Sequence, residues 1–189
     1  MSNSNNSKQD RYKKALIRNL NEIGRAILEY RAMVGLEKAN TYHGMDFIRI
    51  AYDALFNDMI AHVIKVLEDR SDVASFWYIK RCKEREVSYF VQNNGINLSK
   101  LEVIKDALKH IRDKTHFHID RDAVKNLSEI WKEAALTRKQ LVSAIEDVYS
   151  ILDYLYQLEF GEHFPLPEYD GSDATSIAKF AENITKNNT

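Results

Sequence analysis

Histidine is the side chain that titrates nearest neutral pH, and three of the six in this chain fall within nine residues: His110, His116 and His118. Between and beside them lie Arg112, Asp113, Lys114 and Asp120, in the run Arg112-Asp113-Lys114-Thr115-His116-Phe117-His118-Ile119-Asp120. Arg112 precedes His118 by six positions, an R-x5-H spacing. An imidazole can accept or donate a proton, and a guanidinium fork can hold an anion with paired hydrogen bonds. The same residue types admit two other readings. Arg112, Asp113 and His118 can close a helix end as an ion-pair network. His110, His116 and His118 can ligate a metal with Asp113 or Asp120, although no HExxH or Cys/His pattern accompanies them. No metal or cofactor is expected.

Other chemistry-bearing residues carry less. Lys80, Arg81, Lys83 and Arg85 put four basic residues in six, which suits phosphate contact or, more often, a solvated helix face. His62 falls on an apolar stripe and reads as a core histidine with a hydrogen-bond partner. His43 and His163 sit at loop signals. Cys82 reads as a buried small residue, and as the only cysteine it excludes an internal disulfide and a multi-cysteine zinc site.

The elements that must position these residues are helical. Six Gly and two Pro in 189 residues are too few for a turn-rich β protein. Both prolines, Pro165 and Pro167, lie near the C-terminus, and all glycines but Gly24 fall at expected helix ends. Leu16, Leu20, Ile23, Ile27, Tyr30 and Val34 recur at helical steps and predict a helix from about Lys8 to Val34. A second, from about Met45 to Glu68, carries two apolar sets, Ile48-Tyr52-Leu55-Met59-His62-Val66 and Phe47-Ile50-Phe56-Ile60-Ile64-Leu67. Apolarity over so much of its surface predicts a central helix or a dimer interface. A third spans about Ser75 to Gln92, with Phe76, Ile79, Cys82 and Phe90 inward. Capping boxes at Ser99-Lys100-Leu101-Glu102 and Thr137-Arg138-Lys139-Gln140 open two more, with apolar stripes Leu101-Ile104-Leu108-Ile111 and Leu141-Ile145-Val148-Leu152-Leu155. One short helix is expected around Trp131 and another over 172–184. The predicted architecture is all-α: an antiparallel bundle of four to five long helices over 8–160, a disordered stretch at 1–7, and a C-terminal extension over 161–189.

Lys+Arg number 27 and Asp+Glu 28, for a net charge of −1, so nucleic acid can be held only by a local patch. The start, MSNSNNSKQD, has no apolar core and does not read as a signal peptide, and no stretch is apolar enough to span a bilayer. A cytoplasmic protein is expected.

The run from Arg112 to Asp120 resembles the R-x4-6-H motif of the HEPN superfamily, all-α proteins that include many prokaryotic ribonuclease toxins. R-D-K-x-x-x-H-x-D is similar to the abortive-infection subfamily of U type. The order of parts agrees over roughly residues 10 to 160: a long helix with Ala51-Tyr52-Asp53-Ala54-Leu55, the motif at the end of a middle helix, then a Leu-Thr-Arg-Lys-Gln-Leu helix start. Many ribonuclease members carry a polar residue and Tyr where this chain has Ile119-Asp120. The resemblance implies a metal-independent endoribonuclease of phage defence or a toxin–antitoxin pair, with RNA as substrate. It casts His118 as acid/base, Arg112 as stabiliser of the pentacoordinate phosphate, and Asp113 as an orienting group, with His116, Lys114 and Asp120 in support. It also implies a homodimer and an antitoxin or regulator protein as partner. On a straight helix Arg112 and His118 stand about 120° apart, and Arg112 and His116 about 40°. The helix must bend before His118, or two protomers must pool their motifs across a two-fold axis. The alternative is a non-catalytic HEPN-like module that binds a nucleotide, RNA or a protein.

Overall fold

The computed structural model describes residues 2–38, 45–116 and 127–187, and its described residues are all-α. In chain order the helices are α1 (Ser2–Glu37), α2 (Asp46–Leu67), α3 (Phe76–Cys82), α4 (Glu84–Asn94), α5 (Leu98–Ile111), α6 (Leu127–Ala134), α7 (Arg138–Phe160) and α8 (Ser172–Asn187). A π-helical turn, Arg112–His116, continues directly from α5. They form a helical bundle. The chain makes two compact units, Met1–Ile23 with Val63–Phe164, and Gly24–His62 with Pro165–Thr189.

The first unit is built on the stripes read from sequence. Leu101, Ile104, Leu108 and Ile111 of α5 are buried, as are Leu141, Ile145, Val148, Leu152 and Leu155 of α7. Helix α5 packs on α6 and α7, and α4 on α7, where Phe90 stacks on Tyr154 with ring centroids 4.6 Å apart. The Thr137 capping box forms: its hydroxyl accepts from the Gln140 N–H, and the Gln140 side chain accepts from the Thr137 N–H. The Ser99 box does not. Asn97 caps α5 instead, its side-chain oxygen accepting from the Ser99 N–H at 3.0 Å. Asn ranks with Ser as an N-cap, so the cap settles two residues earlier.

The expected third helix breaks in two at Lys83, whose φ of −130° and ψ of 44° are not helical. Lys83 reaches Glu159 at 2.6 Å, a tertiary contact that overrides a locally continuous helical pattern. The break also turns the face: Phe76 and Ile79 are buried, but Cys82 at the end of α3 is exposed, contrary to the expectation. Helix α1 starts at Ser2, ahead of the expected Lys8. Extending a formed helix costs far less than nucleating one, so a Ser/Asn-rich turn can be carried by the helix behind it.

In the second unit, Leu36 packs with Ile48 of α2 and with Ala174 and Ala178 of α8. Gly35 is buried in the last turn of α1, at a helix end as expected, but without the positive φ that Gly95, Gly161 and Gly171 have. A Cβ there would clash with the carbonyl oxygen of Gly171, which itself has a φ of +77°. Thr175 Oγ1 donates to the Gly35 carbonyl at 3.0 Å, and Arg31 donates to the Tyr169 carbonyl at 2.9 Å. This close approach turns the buried side of α1 to Ala26, Met33 and Leu36, while Ile27, Tyr30 and Val34 are half-buried. Of the apolar residues near the start of α2, Ile48 is buried, whereas Phe47 and Ile50 are exposed. His43 and Gly44 lie outside the described residues.

Candidate functional site

The run singled out by sequence begins where α5 changes character. From Arg112 the backbone closes a π turn that ends at His116. A π turn widens the helix by one residue, so the angular count along an ideal α-helix ends at Arg112. His118 and Asp120 lie outside the described residues, and of His116 the backbone alone is described.

Arg112 is held from two sides. Its Nη1 donates to Glu68 Oε1 at 2.7 Å, and its Nε and Nη2 both meet Asp113 Oδ1 at 2.8 Å. Glu68 follows the last residue of α2, so a carboxylate 44 residues earlier in the chain closes the arginine. Partial burial works against the guanidinium charge, but the hydrogen bonds and charges of Asp113 and Glu68 outweigh it and hold the pKa above the ordinary arginine value. The side chain keeps 22% of its surface exposed. Lys114 is half-exposed.

The guanidinium stands at the rim of an open pocket of about 300 Å³, at the lower end of volumes that hold small ligands. Ile64, Leu67 and Leu108 give it an apolar floor, and Arg70, Lys105, Lys109 and Arg112 oppose Glu68, Asp69 and Asp106 around it. Behind the floor, Trp77 donates to the Leu67 carbonyl at 2.8 Å, and the Lys105 ammonium lies 5.4 Å from the Trp77 ring centroid. Arg70 is forked onto Asp72, at 2.7 and 3.1 Å. Lys105 and Lys109 went unremarked in the sequence, although both lie on α5 within one or two turns of Arg112. Glu68 carried no sequence signal at all.

The other candidates are placed elsewhere in the first unit. His110 turns toward Glu133 of α6, at 3.6 Å, and does not line the Arg112 pocket. Lys83 bonds Glu159, which also pairs with Lys13 at 3.2 Å, and Lys83 covers the Tyr12 ring. Burial pushes the Tyr12 hydroxyl pKa well above its ordinary value, with Glu159 adding to the effect. Arg81 bonds Asp69 at 3.1 Å, Lys80 is half-exposed and Arg85 is exposed. The basic run is therefore in good part an internal charge network.

No family model, curated protein or solved structure matches this chain. Among the described residues, no helix is long and apolar enough to cross a membrane.

Proposed function

We propose that this chain is a HEPN-type, metal-independent endoribonuclease of phage defence or a toxin–antitoxin pair, with its R-x5-H motif at a homodimer interface. The position of Arg112 carries the reading: it opens a π turn and stands on the rim of a pocket edged by Arg70, Lys105 and Lys109. Single π turns are rare and recur at functional sites, and this one continues directly from the end of α5. Arg70, Lys105, Lys109 and Arg112 outnumber Glu68, Asp69 and Asp106 around the pocket, a local cationic excess that supports phosphate contact on a chain whose net charge is −1. RNA cleavage without metal needs a proton acceptor for the attacking 2′-OH, a proton donor for the leaving oxygen, and a cation for the phosphorane. His118 supplies the proton transfers, and the Arg112 fork meets the gathering negative charge. Asp113, bonded to the guanidinium at 2.8 Å, fixes the fork's orientation. The products would end in 2′,3′-cyclic phosphates.

One observation favours a second reading, a non-catalytic module that binds RNA, a nucleotide or a partner protein. Arg112 is already engaged by two carboxylates, the pattern of an ion pair that closes a helix end. Inducible expression separates the two. An active ribonuclease stunts its host, and the Arg112→Ala/His118→Ala double variant restores growth. Equal growth with both, with RNA bound but not cut, favours the module.

A further inference from the structure

A second group of chemistry-bearing side chains lies in the other unit and owes nothing to the ribonuclease reading. Asp58 and His62 stand four residues apart on α2, which sets them on one face. Glu29 of α1 meets them there. His62 Nε2 is 3.4 Å from Glu29 Oε1 and 3.7 Å from Asp58 Oδ2, and one ligand atom from each residue lies within 4.8 Å of the others. A charge-assisted N–H···O bond is about 2.7–2.9 Å long, shorter than either separation. A tetrahedral Zn²⁺ with bonds of about 2.0–2.2 Å holds its ligand atoms about 3.3–3.6 Å apart. The His62 spacings sit close to that range, and rotation of the exposed Asp58 carboxylate would have to close the rest of the set, whose ligand atoms lie within 4.8 Å of one another.

Burial is graded across the group. The His62 side chain is 4% exposed, Glu29 14% and Asp58 63%. Two ligands are thus fixed within the unit, while the third stands at the surface, where an ion can enter and where a coordination position stays open to water. A buried carboxylate facing a buried imidazole is costly to desolvate, and a divalent cation between them relieves that cost.

We propose that Glu29, Asp58 and His62 form a binding site for a divalent first-row transition-metal ion, one that ties α1 to α2. One imidazole nitrogen with two carboxylate oxygens suits Zn²⁺.

The test is titration of the full chain, stripped with EDTA and dialysed, with Zn²⁺ alone in a calorimeter, and in parallel with Co²⁺ to read its visible absorption. Wild type takes up one saturable equivalent at this site, and its Tm rises with Zn²⁺. Asp58→Asn, at an exposed position that leaves the fold intact, weakens that equivalent at least about tenfold, as does Glu29→Gln. Asp53→Asn, an exposed acid on the same helix outside the group, leaves it unchanged. Absence of a saturable equivalent, or equal affinity in all three variants, overturns the proposal and leaves the group a polar contact between α1 and α2.

Discussion

Arg112 in the first unit and His62 in the second each face two carboxylates from different stretches of chain, yet the two groups close differently. Arg112 meets Glu68 and Asp113 at 2.7 and 2.8 Å, the lengths of charge-assisted hydrogen bonds, and its charge is permanent. His62 stands 3.4 and 3.7 Å from its acids and is far more deeply buried. One group is electrostatically complete and edges a pocket. The other is more deeply buried and more widely spaced. A list of residue types would equate them, and distance and burial separate them.

The contrast predicts unequal costs of truncation. His62→Ala removes a buried base from between two acids and should destabilise the metal-free protein by about 3 kcal/mol, read from urea denaturation. A loss below about 1 kcal/mol would show that the second cluster is not the buried pair described above. Gly35→Ala sets a methyl group against the Gly171 carbonyl and should cost about 1–3 kcal/mol in the same assay. A neutral effect would contradict the close approach that shapes the second unit. Arg112→Ala breaks a partly exposed pair and should cost no more than about 1 kcal/mol, with helical circular dichroism unchanged. A cost as large as that of His62→Ala would assign Arg112 to structure and contradict the catalytic role proposed for it.

Smaller effects sharpen the picture of the first unit. Glu68→Gln weakens the hold on the Arg112 fork, so RNA should bind several-fold more tightly at low salt, measured by fluorescence anisotropy; weaker binding would place Glu68 in contact with RNA. Glu159 supplies a pH signature. Partial burial would raise its pKa, but Lys83 and Lys13 outweigh that and hold it below the ordinary 4.5. The unfolded chain therefore takes up this proton first. The stabilisation is fully present above the ordinary glutamate value and is lost as pH falls through the lowered folded value. Glu159→Gln should flatten the acid side of the stability profile by a few tenths of a kcal/mol, and an unchanged slope would contradict the pairing.

The helices of the first unit were legible because periodicity and caps are local. The stripes of α5 and α7 and the Thr137 box needed only neighbours three or four residues apart. What escaped the sequence depends on distant chain. Lys83 breaks a helix where it reaches Glu159, and Gly35 leaves room for the Gly171 carbonyl. His163 looked uninformative in its loop, yet its Nδ1 lies 2.7 Å from Asp153, which also accepts from the Phe164 N–H. The candidate site divides the same way. Arg112 and Asp113 were readable as neighbours, whereas Glu68 is brought in by the fold. His62 was legible as a core histidine on α2, but its facing Glu29 belongs to another helix.

The central claim is metal-independent RNA cleavage by Arg112 and His118, and its most direct test uses purified protein. Wild type and the Arg112→Ala/His118→Ala variant are each incubated with tRNA and structured RNA in EDTA, and the product ends are analysed. Cleavage by wild type that leaves 2′,3′-cyclic phosphates, and at least about a hundredfold less by the variant, is the predicted result. Cleavage at equal rates by both, or no cleavage of any RNA by a folded wild-type dimer, would contradict it.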